Sequence, residues 1–95
     1  MQNIFTTVHH PNGFQTMPWY EVKHERLFPT IHHPDGYTGL PYYEIKDGRL
    51  YPTHDNPEGY SSLPWFEVEG TLISTTIHHP RGYQGLPWYE IKDLG

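Results

Sequence analysis

Four prolines, Pro18, Pro41, Pro64 and Pro87, stand 23 residues apart, and each opens nearly the same text. Pro-Trp-Tyr-Glu-Val at 18–22 returns as Pro-Tyr-Tyr-Glu-Ile at 41–45, Pro-Trp-Phe-Glu-Val at 64–68 and Pro-Trp-Tyr-Glu-Ile at 87–91. Self-similarity at a fixed period of this size marks a repeat architecture, in which a unit buries its apolar face only by leaning on its neighbours. A side chain able to bind a ligand on one unit is therefore present once in every unit.

Each unit reads as a β-hairpin. Tyr42-Tyr43-Glu44-Ile45-Lys46 is aromatic and β-branched, Asp47-Gly48 follows, and Arg49-Leu50-Tyr51-Pro52-Thr53 returns. Asp-Gly between two such runs signals a type I′ turn with both central residues at positive φ. Gly70-Thr71 has glycine first, the type II′ pattern, whereas His24-Glu25 predicts strain or a longer loop. A two-residue loop sets Ile45 against Leu50, Glu44 against Tyr51 and Tyr42 against Thr53. Across the repeats Val22, Ile45, Val68 and Ile91 then face Leu27, Leu50, Ile73 and Ile4, so aliphatic meets aliphatic in every copy. The connections, such as His32-His33-Pro34-Asp35-Gly36, are rich in proline and glycine and read as ordered loops. Helical periodicity is absent, which makes the chain all-β.

Ile4–Val8 matches the second strand of a unit and Trp88–Lys92 matches the first, with Asp93-Leu94-Gly95 equivalent to Met1-Gln2-Asn3. Pairing of these two strands would complete a fourth hairpin from residues 1–17 and 87–95 and close residues 1–95 into one ring-shaped domain with adjacent termini and no exposed sheet edge. The expected fold is thus a pseudo-fourfold ring of eight strands, either a miniature propeller-like toroid or a small barrel. The long connections favour the toroid.

Composition narrows the function. A net charge of −5 without any basic run argues against nucleic acid as a partner. No apolar stretch is long enough for membrane insertion by a helix, and the start lacks a secretory signal, which leans towards a cytoplasmic setting. There is no cysteine, so a metal could be held only by His, Asp or Glu.

Several columns of the repeat could carry chemistry. Glu21, Glu44, Glu67 and Glu90 recur mid-strand, where acids are disfavoured, and would accept from a ligand hydroxyl or cation or else glue adjacent hairpins together through Trp, Tyr, His or backbone donors. Trp19, Tyr42, Trp65 and Trp88 precede them on the same face, opposite Thr7, Thr30, Thr53 and Thr76. A flat ring beside a carboxylate and a hydroxyl suits the C–H face of a sugar or a quaternary ammonium; the same rings could simply fill the space between hairpins. His9, His32, Asp55 and His78 form one loop column, and His10, His33, Asn56 and His79 the next. Either could tether loops, or converge on the symmetry axis as a site for zinc or nickel. His54 stands where the other units have Val8, Ile31 and Ile77. Phe14, Tyr37, Tyr60 and Tyr83, each after a glycine, would line pockets between units or pack beneath the loops.

Four carboxylates in equivalent surroundings have no reason to acquire the split pKa values of a general acid and base, and no nucleophile elbow, phosphate loop or HExxH occurs. An enzyme is not expected. Trp88-Tyr89-Glu90-Ile91-Lys92-Asp93 and Tyr43–Gly48 resemble the choline-binding repeats of bacterial surface proteins, although His-His-Pro stands where that family has Gly-Trp after the second strand. The expectation is a non-catalytic, multivalent module binding a carbohydrate or other small polar ligand, lectin-like, through the Glu and Trp columns with His9, His32, His78, Tyr37, Tyr60 and Tyr83. The alternative is a structural or protein-interaction module with a metal on the axis.

Overall fold

The computed structural model describes residues 2–93; Met1, Leu94 and Gly95, and with them the expected turn equivalence at the chain ends, lie outside the described residues. Eight strands follow in chain order: β1 (Gln2–Thr6), β2 (Tyr20–Lys23), β3 (Arg26–Pro29), β4 (Tyr43–Lys46), β5 (Arg49–Pro52), β6 (Phe66–Glu69), β7 (Leu72–Thr75) and β8 (Pro87–Asp93). Each pairs antiparallel with the next, and β8 returns to β1, so the sheet closes into a barrel. The barrel forms, not the toroid, because consecutive hairpins hydrogen-bond to each other: Leu27 pairs with Tyr43 and Leu50 with Phe66. The long connections instead fold over one end of the barrel. Among the described residues no helix is long and apolar enough to cross a membrane.

The expected register holds. Ile45 pairs with Leu50 and Glu44 with Tyr51, and the same pairing recurs at the closure, where Ile4 meets Ile91 and Phe5 meets Glu90. Asp47 and Gly48 have φ of 52° and 74°, as a type I′ turn requires; at the third hairpin only Gly70 is positive, at 64°. His24 and Glu25 make a two-residue turn with φ of 52° and 61°. The loop is not lengthened, so two side-chain-bearing residues occupy the left-handed region that glycine tolerates best.

Inside the barrel Ile4, Leu27, Leu50 and Ile73 are buried, with Val22, Ile45, Val68 and Ile91 packed against them toward the hairpin turns. Above this aliphatic layer Tyr20, Tyr43, Phe66 and Tyr89 form a pinwheel. Successive rings meet edge to face at 5.9 Å (Tyr20–Tyr43), 5.5 Å (Tyr43–Phe66), 5.5 Å (Phe66–Tyr89) and 5.9 Å (Tyr89–Tyr20). Each contact adds about 0.5–1.5 kcal/mol beyond area burial, which is how a chain short of aliphatics fills its core.

Replacing His24-Glu25 with Asp-Gly should raise stability by about 1–2 kcal/mol. Thermal melting checks this: an increase of several degrees is expected, and an unchanged or lower melting temperature would count against the strain.

Candidate functional site

The loops at the open end are built alike. In each, the threonine hydroxyl donates to the carbonyl of the proline that opens its own hairpin, Thr30 to Pro18 and Thr53 to Pro41, and accepts the backbone N–H two residues on. Thr7 and Thr76 do the same with Pro87 and Pro64. Both capacities of these hydroxyls are used, so the threonines act as loop locks rather than ligand donors. Where the strand ends in threonine, the loop carries glutamine: the Gln15 and Gln84 N–H groups donate to the buried Thr6 and Thr75 hydroxyls. Where it ends in Pro29 or Pro52, Thr38 or Ser61 bonds within its own loop instead.

These locks turn the two histidine columns in opposite directions. His9, His32, Asp55 and His78 are exposed on the outside, and His10, His33, Asn56 and His79 face the axis. The Nδ1 atoms of His10, His33 and His79 accept the N–H groups of Asn12, Asp35 and Arg81 at 3.0–3.1 Å. Asn56 Oδ1 accepts that of Glu58 at 2.9 Å, taking the imidazole's part in the unit that lacks histidine. An accepting Nδ1 places the ring proton on Nε2, which donates from His10 to the Tyr89 hydroxyl (3.1 Å) and from His33 to Tyr20 (3.0 Å). Burial, aided by the Arg81 guanidinium, holds His10 and His79 at a pKa of about 4, and burial lowers His33 against the opposing pull of Asp35. All three are neutral at pH 7. Burial likewise pushes the Tyr43 and Tyr89 hydroxyls up beyond their usual range.

Trp19, Tyr42, Trp65 and Trp88 are buried at the mouth of the barrel and do not stand out as free stacking faces. Trp19 is wedged between His10 (4.9 Å, 79°) and His33 (5.3 Å, 60°), so it joins two successive loops. It precedes β2, and the alternation that would have placed it outside applies only within the strand. Trp88→Ala would therefore open a core cavity costing about 3–5 kcal/mol.

Most of the remaining candidates, though not Glu90 or His9, line three similar grooves on the outer wall. Glu21, Lys23, Phe28, His32 and Tyr37 line one of about 440 Å³; Glu44, Lys46, Tyr51, His54 and Tyr60 line the next, of about 340 Å³. Glu67, Glu69, Ser74, His78 and Tyr83, with Arg49 of the preceding hairpin, line a third of about 750 Å³. The third is larger because Ser74 leaves empty the place filled by Phe28 and Tyr51. Tyr37, Tyr60 and Tyr83 are 66%, 57% and 64% exposed, large apolar rings held at the surface. His54 lies flat on Tyr60 at 4.3 Å and 6°, so in that groove the tyrosine already carries a stacked partner.

The glutamates bind cations rather than Trp, Tyr, His or backbone donors. Glu21 meets Lys23 at 3.0 Å and Glu90 meets Lys92 at 3.9 Å, within one strand. Glu44 meets Lys46 at 3.2 Å and Arg26 of the neighbouring hairpin at 3.6 Å, which holds its carboxyl below the usual range, and Glu67 meets Arg49 across the next junction at 3.6 Å. Among the described residues no group of three or more His, Asp or Glu side chains is placed to share a metal ion. Comparison of the chain with protein-family models, with curated proteins and with solved structures finds no match. The sequence reading missed the lysine column, Ser74 and the residues after each His-His-Pro or Asp-Asn-Pro; the signal for Ser74 was its small size where the other copies have Phe or Tyr.

Folded-state pKa values of about 4 for His10 and His79, against about 6.5 when unfolded, make the unfolded chain bind protons first as pH falls. Stability is full above pH 6.5 and declines towards pH 4. Between pH 7 and pH 5 the two histidines together should cost about 2–4 kcal/mol, or about 10–20 °C in melting temperature, the lower figure applying where solvent screens the rings. A double His10→Asn, His79→Asn variant, which copies the Asn56 arrangement, should show less than about half that slope. A wild-type melting temperature that is flat over this range would contradict the reading.

Proposed function

We propose that the protein is a non-catalytic, multivalent carbohydrate-binding module with one outer groove per repeat. The observation that supports this reading is the recurrence of a carboxylate and an exposed tyrosine in three grooves spaced around a rigid barrel, joined by His32, His54 or His78. An exposed ring offers its face to sugar C–H groups, while Glu, Lys and His supply directional donors and acceptors for hydroxyls. The groove of Glu67 and Tyr83 is the most open, so it is the first to hold ligand. Each site alone is shallow and weak; their spacing on one frame makes avidity the source of strength. The ion-paired glutamates suit binding better than acid–base chemistry, which needs a carboxyl raised towards neutrality.

A protein-interaction module is the second reading. Val8, Ile31 and Ile77 are exposed aliphatics at equivalent places round the barrel, the kind of apolar surface that partners cover. Its metal-holding form would require zinc or nickel to draw His10 and His33 Nε2 away from tyrosine hydroxyls. Elemental analysis and melting with chelator test it: bound metal and a lowered melting temperature would favour this form, and neither would remove it.

A broad glycan array tests the first reading. Binding to a defined class of glycans is expected, falling about 100-fold or more in a Tyr37→Ala, Tyr60→Ala, Tyr83→Ala triple variant as avidity is lost. Because these rings are exposed, the variant should melt close to wild type. Silence across the array, or full binding by the triple variant, would overturn it.

A further inference from the structure

The open end of the barrel holds a second, different concavity. A bowl of about 380 Å³ lies on the axis, floored by the Tyr20, Tyr43, Phe66 and Tyr89 pinwheel and walled by His10, His33, Asn56 and His79. Unlike the outer grooves it occurs once per molecule, and its repeats are visibly broken.

The break lies first in the wall. His10 and His33 each donate Nε2–H to a tyrosine hydroxyl, but the ring equivalent to those tyrosines beside His79 is Phe66, which has no oxygen to accept. His79 is 8% exposed, its Nδ1 is occupied by the Arg81 N–H, and its Nε2–H has no partner among the described residues. Among the described residues no buried side-chain nitrogen or oxygen lacks a partner, so this Nε2–H opens into the cavity, where an incoming acceptor can take the place of water.

The rim is broken in the same sense. The residue after each loop proline is Asn12, Asp35, Glu58 and Arg81 in turn, all lining the bowl. Because the strands run round the barrel in chain order, Arg81 stands opposite Asp35, with Glu58 on one side of it and Asn12 on the other. Arg81 and Glu58 both line the bowl, and the Arg81 guanidinium adds to the burial that lowers the pKa of His79 and His10. One side of the bowl is cationic with a spare N–H donor, and the other is anionic.

We propose that this bowl is a binding site for a small zwitterion of the free α-amino acid class, its carboxylate on Arg81 and the His79 Nε2–H and its ammonium towards Asp35 and Glu58. The aromatic floor takes the ligand's apolar side chain, and the volume leaves room for a ring. An anion alone would forgo the acidic side, and a cation alone would forgo Arg81 and the His79 donor. Charge-assisted bonds at both ends give the zwitterion its advantage over either half.

Titration of the full-length protein at pH 7, followed by calorimetry and by the His79 and loop amide NMR signals, tests this. The probes are L-phenylalanine, phenyllactate, which lacks the ammonium, and phenethylamine, which lacks the carboxylate; alanine, lactate and ethylamine repeat the series without the ring. The amino acid should bind at least about tenfold more tightly than either half-molecule. Arg81→Gln and Glu58→Gln, both at exposed rim positions, should each weaken it by a similar factor, and His79→Asn should do so with an unchanged melting curve at pH 7. Equal binding of the halves, undisturbed His79 signals at millimolar amino acid, or full affinity in Arg81→Gln would each overturn the proposal.

Discussion

Pairing of β1 with β8 is the constraint on which everything else rests. Hairpins of such short strands do not stand alone, and each touches its neighbour through only two or three residue pairs, as Arg26–Glu44 and Leu27–Tyr43. Left open, the array would present unpaired edges and an uncovered aromatic face. The five pairs from Gln2–Asp93 to Thr6–Tyr89 close it, and the closure lets four rings form an unbroken pinwheel. The bowl exists only because that circle is complete.

Symmetry then divides labour between inside and outside. On the outer wall the repeats stay alike, with carboxylate and aromatic in register in successive grooves. On the axis the four copies converge on one volume, so a change in one unit alters a single shared site instead of a quarter of several. Phe66 for tyrosine and Arg81 for an acid are such changes, and they fall on adjacent faces of the bowl. Asn56 for histidine shows the opposite case, a substitution that keeps the hydrogen bond its loop requires.

Much of this was legible in the sequence, for identifiable reasons. Two-residue turns fix register, so Ile45 against Leu50 and Ile4 against Ile91 followed from Asp47-Gly48 and the repeat period alone. The choice of barrel over toroid was not legible, because it depends on hydrogen bonds between hairpins that no local pattern encodes. Trp19 and Trp65 were misplaced by carrying strand alternation one residue too far, before β2 and β6 begin, and Trp88 by the register irregularity at Ile73–Ser74 that it faces. Which histidine of each pair faces inward is set by the threonine lock, a tertiary bond from Thr30 to Pro18 and its equivalents, and hence invisible to spacing. The glutamate column was visible as a recurring acid; its arginine partners emerged only when neighbouring hairpins came together, as Arg26 with Glu44 and Arg49 with Glu67.

Native-state hydrogen exchange at the four threonine amides tests the closure most directly. The Thr30, Thr53 and Thr76 N–H groups donate to Trp19, Tyr42 and Trp65 inside continuous hairpins, while that of Thr7 donates to Trp88 across the joined ends. A sealed barrel predicts that all four exchange at one slow rate, set by global unfolding. Fast exchange at Thr7 beside slow exchange at the other three would mean that the ends do not hold, and that the shared bowl is not there.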